Sequence, residues 1–145
     1  MKSFKEYIDD GIIRMQHKDI SRADSLILEA RQRRSFWTKS IEKTPIDDEN
    51  ANYIVEACYD IIMELIRSHM LRNGYSASGS YAHEAEVSYI KTLNYSESDI
   101  SFLDTLRYRR NGINYYGKIT TKDYALQVWK FMERVYKKLA SQSLV

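Results

Sequence analysis

The sequence has little proline, glycine or cysteine, and each scarcity narrows the class of protein. One proline and five glycines in 145 residues leave long uninterrupted segments, and these repeat apolar residues at helical spacing. The single cysteine, Cys58, excludes a disulfide framework within the chain. It lies in an apolar run, where we expect a buried, inert thiol rather than a nucleophile.

Long apolar runs are also missing. No run approaches the roughly 18 apolar residues that a bilayer-spanning helix needs. The N-terminal residues MKSFKEYIDDG carry charges where a signal peptide requires an apolar stretch. The sequence therefore predicts a soluble, cytoplasmic protein without a membrane partner.

Several chemical motifs are absent as well. There is no glycine-rich phosphate loop and no GxSxG elbow, which excludes the common nucleotide-hydrolysing and acyl-transfer classes. The segment His83-Glu-Ala-Glu-Val87 begins like a zinc-binding HExxH motif but has valine at the second histidine position. His17 and His69 lack acidic or cysteine partners at ligand spacing. We therefore expect no metal and no cofactor.

The chain length and the helical periodicity predict one domain over residues 1–145. No segment has strand alternation bounded by hairpin turns, so the fold class is predicted to be all-α. Short loops between long helices favour an up-and-down bundle of four to five main helices. The predicted helices cover Ser3 to Gly11, Asp19 or Ser21 to about Glu42, about Glu49 to Arg72, Tyr81 to Leu93, Ser96 into the stretch 107–118, and Thr120 or Thr121 onward.

The net charge gives no general attraction to anions, because the chain has 22 basic and 20 acidic residues and a formal charge of only +2. Local clusters must supply any such attraction. The stretch RYRRNGINYYGK, residues 107–118, carries four positive charges and no negative one. A second cluster, Arg31 to Lys39, places Phe36 and Trp37 beside its charges. We expect these aromatics to anchor the helix in the core and the charges to face solvent or to extend a nucleic-acid groove.

On a helix, four polar residues of the first stretch share one face, because their offsets are zero, three, four and seven: Arg107, Arg110, Asn111 and Asn114. Arginine grips phosphate with a planar fork, and asparagine can bind a base edge or a ribose hydroxyl. Tyr115 and Tyr116 can stack on a base or donate to a phosphate oxygen. The alternative is a solvated helix end, where the macrodipole favours cations.

The helix predicted from about Glu49 to Arg72 has acidic residues on a polar face. Glu56, Asp60, Glu64 and Arg67 follow one another at spacings of four, four and three. One interpretation is a solvated face with weak ion pairs. The other is that Asp60 or Glu64 faces the basic stretch and orients an arginine there.

The sequence resembles the HEPN domains, a family of small helical bundles. The resemblance covers nearly the whole chain, through FKEYIDDGII, the AxxLIxxA pattern of Ala23 to Ala30, ACYDIIMELIRSHMLRNGY, YAHEAEVSYI and LRYRRNGINYYG. The family signature is an arginine, usually followed by asparagine, with a histidine several residues later. Arg110-Asn111 matches its first half, and Tyr115 stands where the histidine is expected.

The resemblance implies a homodimer in which two such motifs meet across a cleft. In active members the arginine holds the scissile phosphate of RNA and the histidine assists proton transfer without metal. Other members partner a minimal nucleotidyltransferase or bind nucleotide. Tyrosine has an unperturbed pKa of about 10, which makes Tyr115 a poor base at neutral pH.

Three functions follow as hypotheses. The leading one is a HEPN-like dimeric module that binds RNA or nucleotide, with a nucleotidyltransferase as partner. The second is a metal-independent ribonuclease of toxin type, paired with an antitoxin, in which Arg110 and Tyr115 are catalytic. The third is a purely structural helical dimer whose basic stretch pairs with Asp60 and Glu64.

Overall fold

The computed structural model describes residues 1–116 and 119–140, and the side chains of residues 113–116 are outside that description. The expected all-α class is confirmed for this part of the chain, with one small sheet as the exception. The elements in chain order are α1 (Phe4–Asp9), β1 (Ile13–Met15), α2 (Ile20–Lys43), α3 (Ala51–Arg72), β2 (Tyr75–Ala77), α4 (Ala82–Ser88), a 3-10 helix (Tyr89–Thr92), α5 (Glu97–Tyr116) and α6 (Lys122–Ala140).

The small sheet shows that our prediction of a chain without strands was wrong. β1 and β2 pair antiparallel, with Ile13 opposite Ala77 and Met15 opposite Tyr75. Each strand has only 3 residues, which is too short for apolar alternation to be recognised in the sequence. The pairing joins the segment after α1 to the segment after α3 and buries Ile13.

α3 is the central helix of the bundle. Its broad apolar face is buried in the bundle, while Tyr53 is 63% exposed and Glu56 and Asp60 are half-buried on its polar face. α2 and α6 pack along it, and α4 and α5 also contact it. Ser68 of α3 donates from Oγ to the carbonyl of Ala23 at 2.7 Å, which links α3 to α2. Cys58 is buried in the same helix, and burial raises the pKa of its thiol, as expected for an inert cysteine.

Local capping fixes where the helices begin. The Ser3 N–H donates to Glu6 Oε2 at 2.7 Å and the Glu6 N–H donates to Ser3 Oγ at 3.2 Å, so the two residues form a capping box at the start of α1. Asp19 caps α2 through the N–H of Arg22 at 3.1 Å. These bonds are local, which is why the sequence predicted the helix starts well.

Two local predictions need correction. The helix expected over Tyr81 to Leu93 is divided into α4 and the 3-10 helix that follows it. Phe36 was expected to anchor α2 in the core, but its side chain is 62% exposed and packs edge-on against Trp37. Apolar residues on the outer face of a helix are common in folded proteins, and periodicity alone did not exclude that position.

The N-terminal ends of α3 and α6 lie side by side. The Thr120 N–H donates to Asn52 Oδ1 at 2.9 Å, and the Lys122 N–H donates to Asp48 Oδ1 at 2.7 Å. The chain leaving α5 is thereby held beside the start of α3. In the part of the chain that the structure describes, no helix is both long enough and apolar enough to cross a membrane.

Candidate anion-binding site

Arg110 lies on the side of α5 that faces α3. Its Nη2 is 3.7 Å from Asp60 Oδ1, and its Cζ lies 5.5 Å from the centre of the Tyr59 ring. A charge-assisted hydrogen bond between such groups is about 2.7–2.9 Å long, so Asp60 balances the charge of Arg110 at a longer distance. The Arg110 side chain is 25% exposed.

The other basic residues of the stretch have different neighbours. Arg107 Nε and Nη2 donate to Asp104 Oδ1 at 3.1 and 3.0 Å, so this arginine is engaged within α5. Arg109 faces α6, where its Cζ lies 4.1 Å from the centre of the Tyr124 ring. The shared helical face therefore does not give Arg107 and Arg110 the same environment.

The remaining candidates of the stretch follow Arg110 along α5. Asn111 is half-buried directly after it. Asn114, Tyr115 and Tyr116 belong to the last turn of α5, but their side chains lie outside the described residues. Their expected roles stay predictions.

The two acidic candidates on α3 have different partners. Asp60 lies beside Arg110, which is the arrangement we considered for an arginine-orienting carboxylate. Glu64 lies one turn later and pairs with α2 instead, because Arg33 Nε is 2.7 Å from its Oε1. The side chain of Glu64 is 7% exposed. Burial raises the pKa of Glu64 to about 7 and Arg33 opposes that rise.

A histidine from another helix completes the surroundings of Tyr59. Tyr59 Oη lies 3.4 Å from Nδ1 of His83, and the two rings are within 7° of parallel with centroids 6.4 Å apart. Burial raises the pKa of Tyr59 to about 12, so its hydroxyl keeps its proton at neutral pH. Tyr59 thus lies between Arg110 on its ring face and His83 at its hydroxyl.

An ion pair between α3 and α4 lies close to Tyr59 and His83. Arg67 donates from Nε and Nη2 to the two carboxylate oxygens of Glu86, at 2.6 and 3.1 Å. This bidentate geometry is the strong form of an arginine–carboxylate pair. Glu86 is 5% exposed, and its pairing with Arg67 satisfies a carboxylate that would otherwise be costly to bury.

The charges of this cluster act on His83. Partial burial lowers the pKa of its imidazole, Glu86 and Asp60 oppose that change, and Arg67 and Arg110 add to it. Both arginines are therefore close enough to His83 to influence its protonation. We name Tyr59, Asp60, Arg67, His83, Glu86 and Arg110 the Tyr59 cluster.

Sequence reasoning missed four members of this cluster: Tyr59, Arg67, His83 and Glu86. Arg67 carried a signal, since it continues the polar face of Asp60 and Glu64 on α3. Tyr59 carried none, because it falls within the apolar pattern of the helix. His83 was considered only for a metal motif, and its sequence position does not reveal that α4 packs beside this part of α3.

The described residues contain no group of three or more histidine, cysteine, aspartate or glutamate side chains that could hold a metal ion. In the second basic cluster, Arg34 forms an ion pair with α6, because its guanidinium donates to both carboxylate oxygens of Glu133.

No model of a protein family, no curated protein and no solved structure matches this chain. The resemblance to HEPN domains therefore rests on the sequence motifs alone.

Proposed function

We propose that this chain is a HEPN-like module that binds RNA or a nucleotide at the α5 surface around Arg110. The observation that carries the proposal is the position of Arg110. Its side chain is 25% exposed, and its guanidinium lies over the face of Tyr59 with Asp60 Oδ1 at 3.7 Å. A phosphate that reaches this guanidinium can accept charge-assisted hydrogen bonds from its planar fork.

Arginine and its neighbours on α5 fit this class of ligand. The guanidinium fork matches two phosphate oxygens, and it keeps its charge at all physiological pH values. Asn111 follows Arg110, and Asn114 and Tyr116 occupy the next turn of the helix backbone. In this proposal Asn111 and Asn114 bind a base edge or a ribose hydroxyl, Tyr116 stacks on a base, and Arg107 adds positive charge.

The proposed assembly is a homodimer with a nucleotidyltransferase as a further partner in the cytoplasm. Both parts rest on the resemblance of the sequence to HEPN domains. The dimer places two copies of the Arg110 surface near each other, so that one RNA strand could contact both.

The test is binding of a fluorescent oligoribonucleotide to variants of Arg110. We expect Arg110→Ala to weaken binding by about 1–3 kcal/mol, because charge-assisted bonds to phosphate are lost. Arg110→Lys should recover only part of that loss, since an ammonium cannot reproduce the fork. Fluorescence anisotropy at fixed salt measures both changes.

A matched control is Arg14→Ala, which removes the same charge from an exposed position on β1. If both alanine variants weaken binding equally, the effect is general electrostatics and the proposed site is wrong. Unchanged affinity in Arg110→Ala and Arg110→Lys, with helical circular dichroism preserved, would favour the purely structural dimer.

The second candidate is the metal-independent ribonuclease. One observation favours it, because the imidazole of His83 lies in the same cluster as Arg110. We propose binding without cleavage, since a phenol at position 115 is a poor base near neutral pH. Incubation of the oligonucleotide with the protein and a chelator should leave the strand intact on a denaturing gel. Chelator-resistant cleavage that disappears in Arg110→Ala would replace our proposal with the ribonuclease.

A further inference from the structure

The imidazole of His83 lies beside Tyr59 in the candidate site. His83 is in the first turn of α4, and its side chain is exposed. Its Nδ1 is 3.4 Å from the Tyr59 hydroxyl, and the near-parallel rings hold the imidazole at the edge of Tyr59. The same tyrosine ring lies 5.5 Å from Cζ of Arg110. Tyr59 therefore connects the two side chains within one surface.

The formal charges around His83 cancel in pairs. Arg110 lies beside Asp60, and Arg67 is bound by Glu86. Two arginines and two carboxylates sum to zero, so protonation of His83 gives this set of groups a net positive charge.

The groups that face His83 come from every side of the cluster. α3 contributes Tyr59, Asp60 and Arg67, α4 contributes Glu86, and α5 contributes Arg110. On the α1 side of α4, Glu84 interacts electrostatically with Lys2 and Tyr7. Burial and the two arginines lower the pKa of His83, and a phosphate beside the ring would oppose that change.

We propose that protonated His83 binds a phosphodiester of the same RNA strand that Arg110 contacts, so that the binding site spans α3, α4 and α5. This inference rests on the proposed function and assigns the site a second ligand-facing cation. A bound phosphate adjacent to the ring stabilises the imidazolium form, and by linkage the imidazolium form binds the phosphate more tightly. RNA affinity therefore rises as the pH falls through the pKa of His83.

The experiment measures RNA affinity between pH 5.5 and pH 8 at constant ionic strength, by fluorescence anisotropy. The probe is an oligouridylate without a terminal phosphate, since its phosphodiesters keep a constant charge over that range. We expect wild type to bind about tenfold more tightly at pH 5.5 than at pH 8, the value of one charge-assisted bond of about 1.4 kcal/mol. His83→Gln should lose most of this gain in affinity between pH 8 and pH 5.5.

The matched control is His17→Gln, which removes an exposed histidine between β1 and α2. It should keep the wild-type pH profile. A second readout is the NMR titration of the His83 ring proton, assigned by its absence in His83→Gln. Saturation with the oligouridylate should raise the pKa of His83, a change that a purely structural histidine would not show.

The outcomes separate this inference from the function on which it rests. If Arg110→Ala binds as tightly as wild type at every pH, the proposed function fails. If Arg110→Ala weakens binding while His83→Gln keeps the wild-type pH profile, the function stands and the role of His83 is wrong. A pKa of His83 that is unchanged by RNA leads to the same conclusion.

Discussion

Gly74 lies in the turn that joins α3 to β2 of the small sheet. Its φ is +84°, a backbone conformation that residues with a Cβ rarely adopt. Its carbonyl accepts a hydrogen bond of 2.8 Å from the N–H of Gln16. A Cβ built at this position would lie 2.7 Å from the carbonyl oxygen of Gln16. Conformation and space therefore both require glycine here.

A pair of alanine substitutions separates these two requirements. Gly79 has a φ of +90°, with nothing within 4 Å of the position of an added Cβ. We expect Gly79→Ala to lose about 1–2 kcal/mol of unfolding free energy, the cost of a positive φ for a residue with a Cβ. Gly74→Ala should lose about 1–3 kcal/mol more, because the overlap with Gln16 adds to that cost. Urea unfolding followed by circular dichroism measures both, and equal losses would show that the backbone shifts without penalty.

At the scale of helices, the contact between α2 and α3 contains a buried carboxylate. Glu64 is 7% exposed and has the guanidinium of Arg33 at 2.7 Å, while the Arg33 side chain is 43% exposed. The attraction of this half-solvated arginine is smaller than the effect of burial, which raises the pKa of Glu64 to about 7. Arg33 is thus the ion-pair partner of Glu64, but its attraction is too weak to offset the cost of burying the Glu64 carboxylate.

This raised pKa predicts a stability that depends on pH. Between the ordinary glutamate pKa of about 4.3 and about 7, folded Glu64 keeps a proton that the unfolded chain has released. The unfolding free energy contributed by this residue therefore falls as the pH rises through that window. Each pKa unit corresponds to about 1.4 kcal/mol, so the total is on the order of 3–4 kcal/mol.

Glu64→Gln removes the titration and tests the prediction. The unfolding free energy of Glu64→Gln relative to wild type should increase by about 3 kcal/mol between pH 4.5 and pH 8. Glu42→Gln, at an exposed position near the end of α2, is the control for losing one carboxylate. If the two variants follow the same pH profile, Glu64 does not hold a proton in the folded state.

At the scale of the whole molecule, the proposed assembly is a homodimer. Large apolar side chains on the outer surface include Leu28 and Phe36 of α2 and Tyr108 of α5, each more than half exposed. Tyr108 is on the helix that carries Arg110. Exposed single apolar residues are common, so these positions do not by themselves identify an interface.

We expect light scattering to give a mass of twice 17.1 kDa over a broad range of protein concentration. The physical reason is that a site formed by two copies of α5 needs the second copy to be present. A concentration-independent mass of 17.1 kDa would exclude the dimer and leave Arg110 as a monomeric site. Size-exclusion chromatography of Arg110→Ala serves as the control that this substitution leaves the assembly unchanged.

The helices could be predicted from the sequence alone, because capping bonds and the apolar spacing that marks a buried face involve residues close together along the chain. The capping box of Ser3 and Glu6 spans three residues, and the apolar pattern of α3 already predicted its burial. Arg110 and Asn111 were found in the same way, from their spacing on one helix. Asp60 was a candidate by spacing, although its partner was open.

The contacts between residues that are distant in the sequence could be seen only in the tertiary structure. Glu64 pairs with Arg33 across α2 and α3, β1 pairs with β2 from a distant segment, and His83 reaches the edge of Tyr59. Periodicity shows which face of a helix is buried but not which helix covers it or at what register. The candidate site depends on three helices packing at one point, so its composition followed from packing and not from spacing.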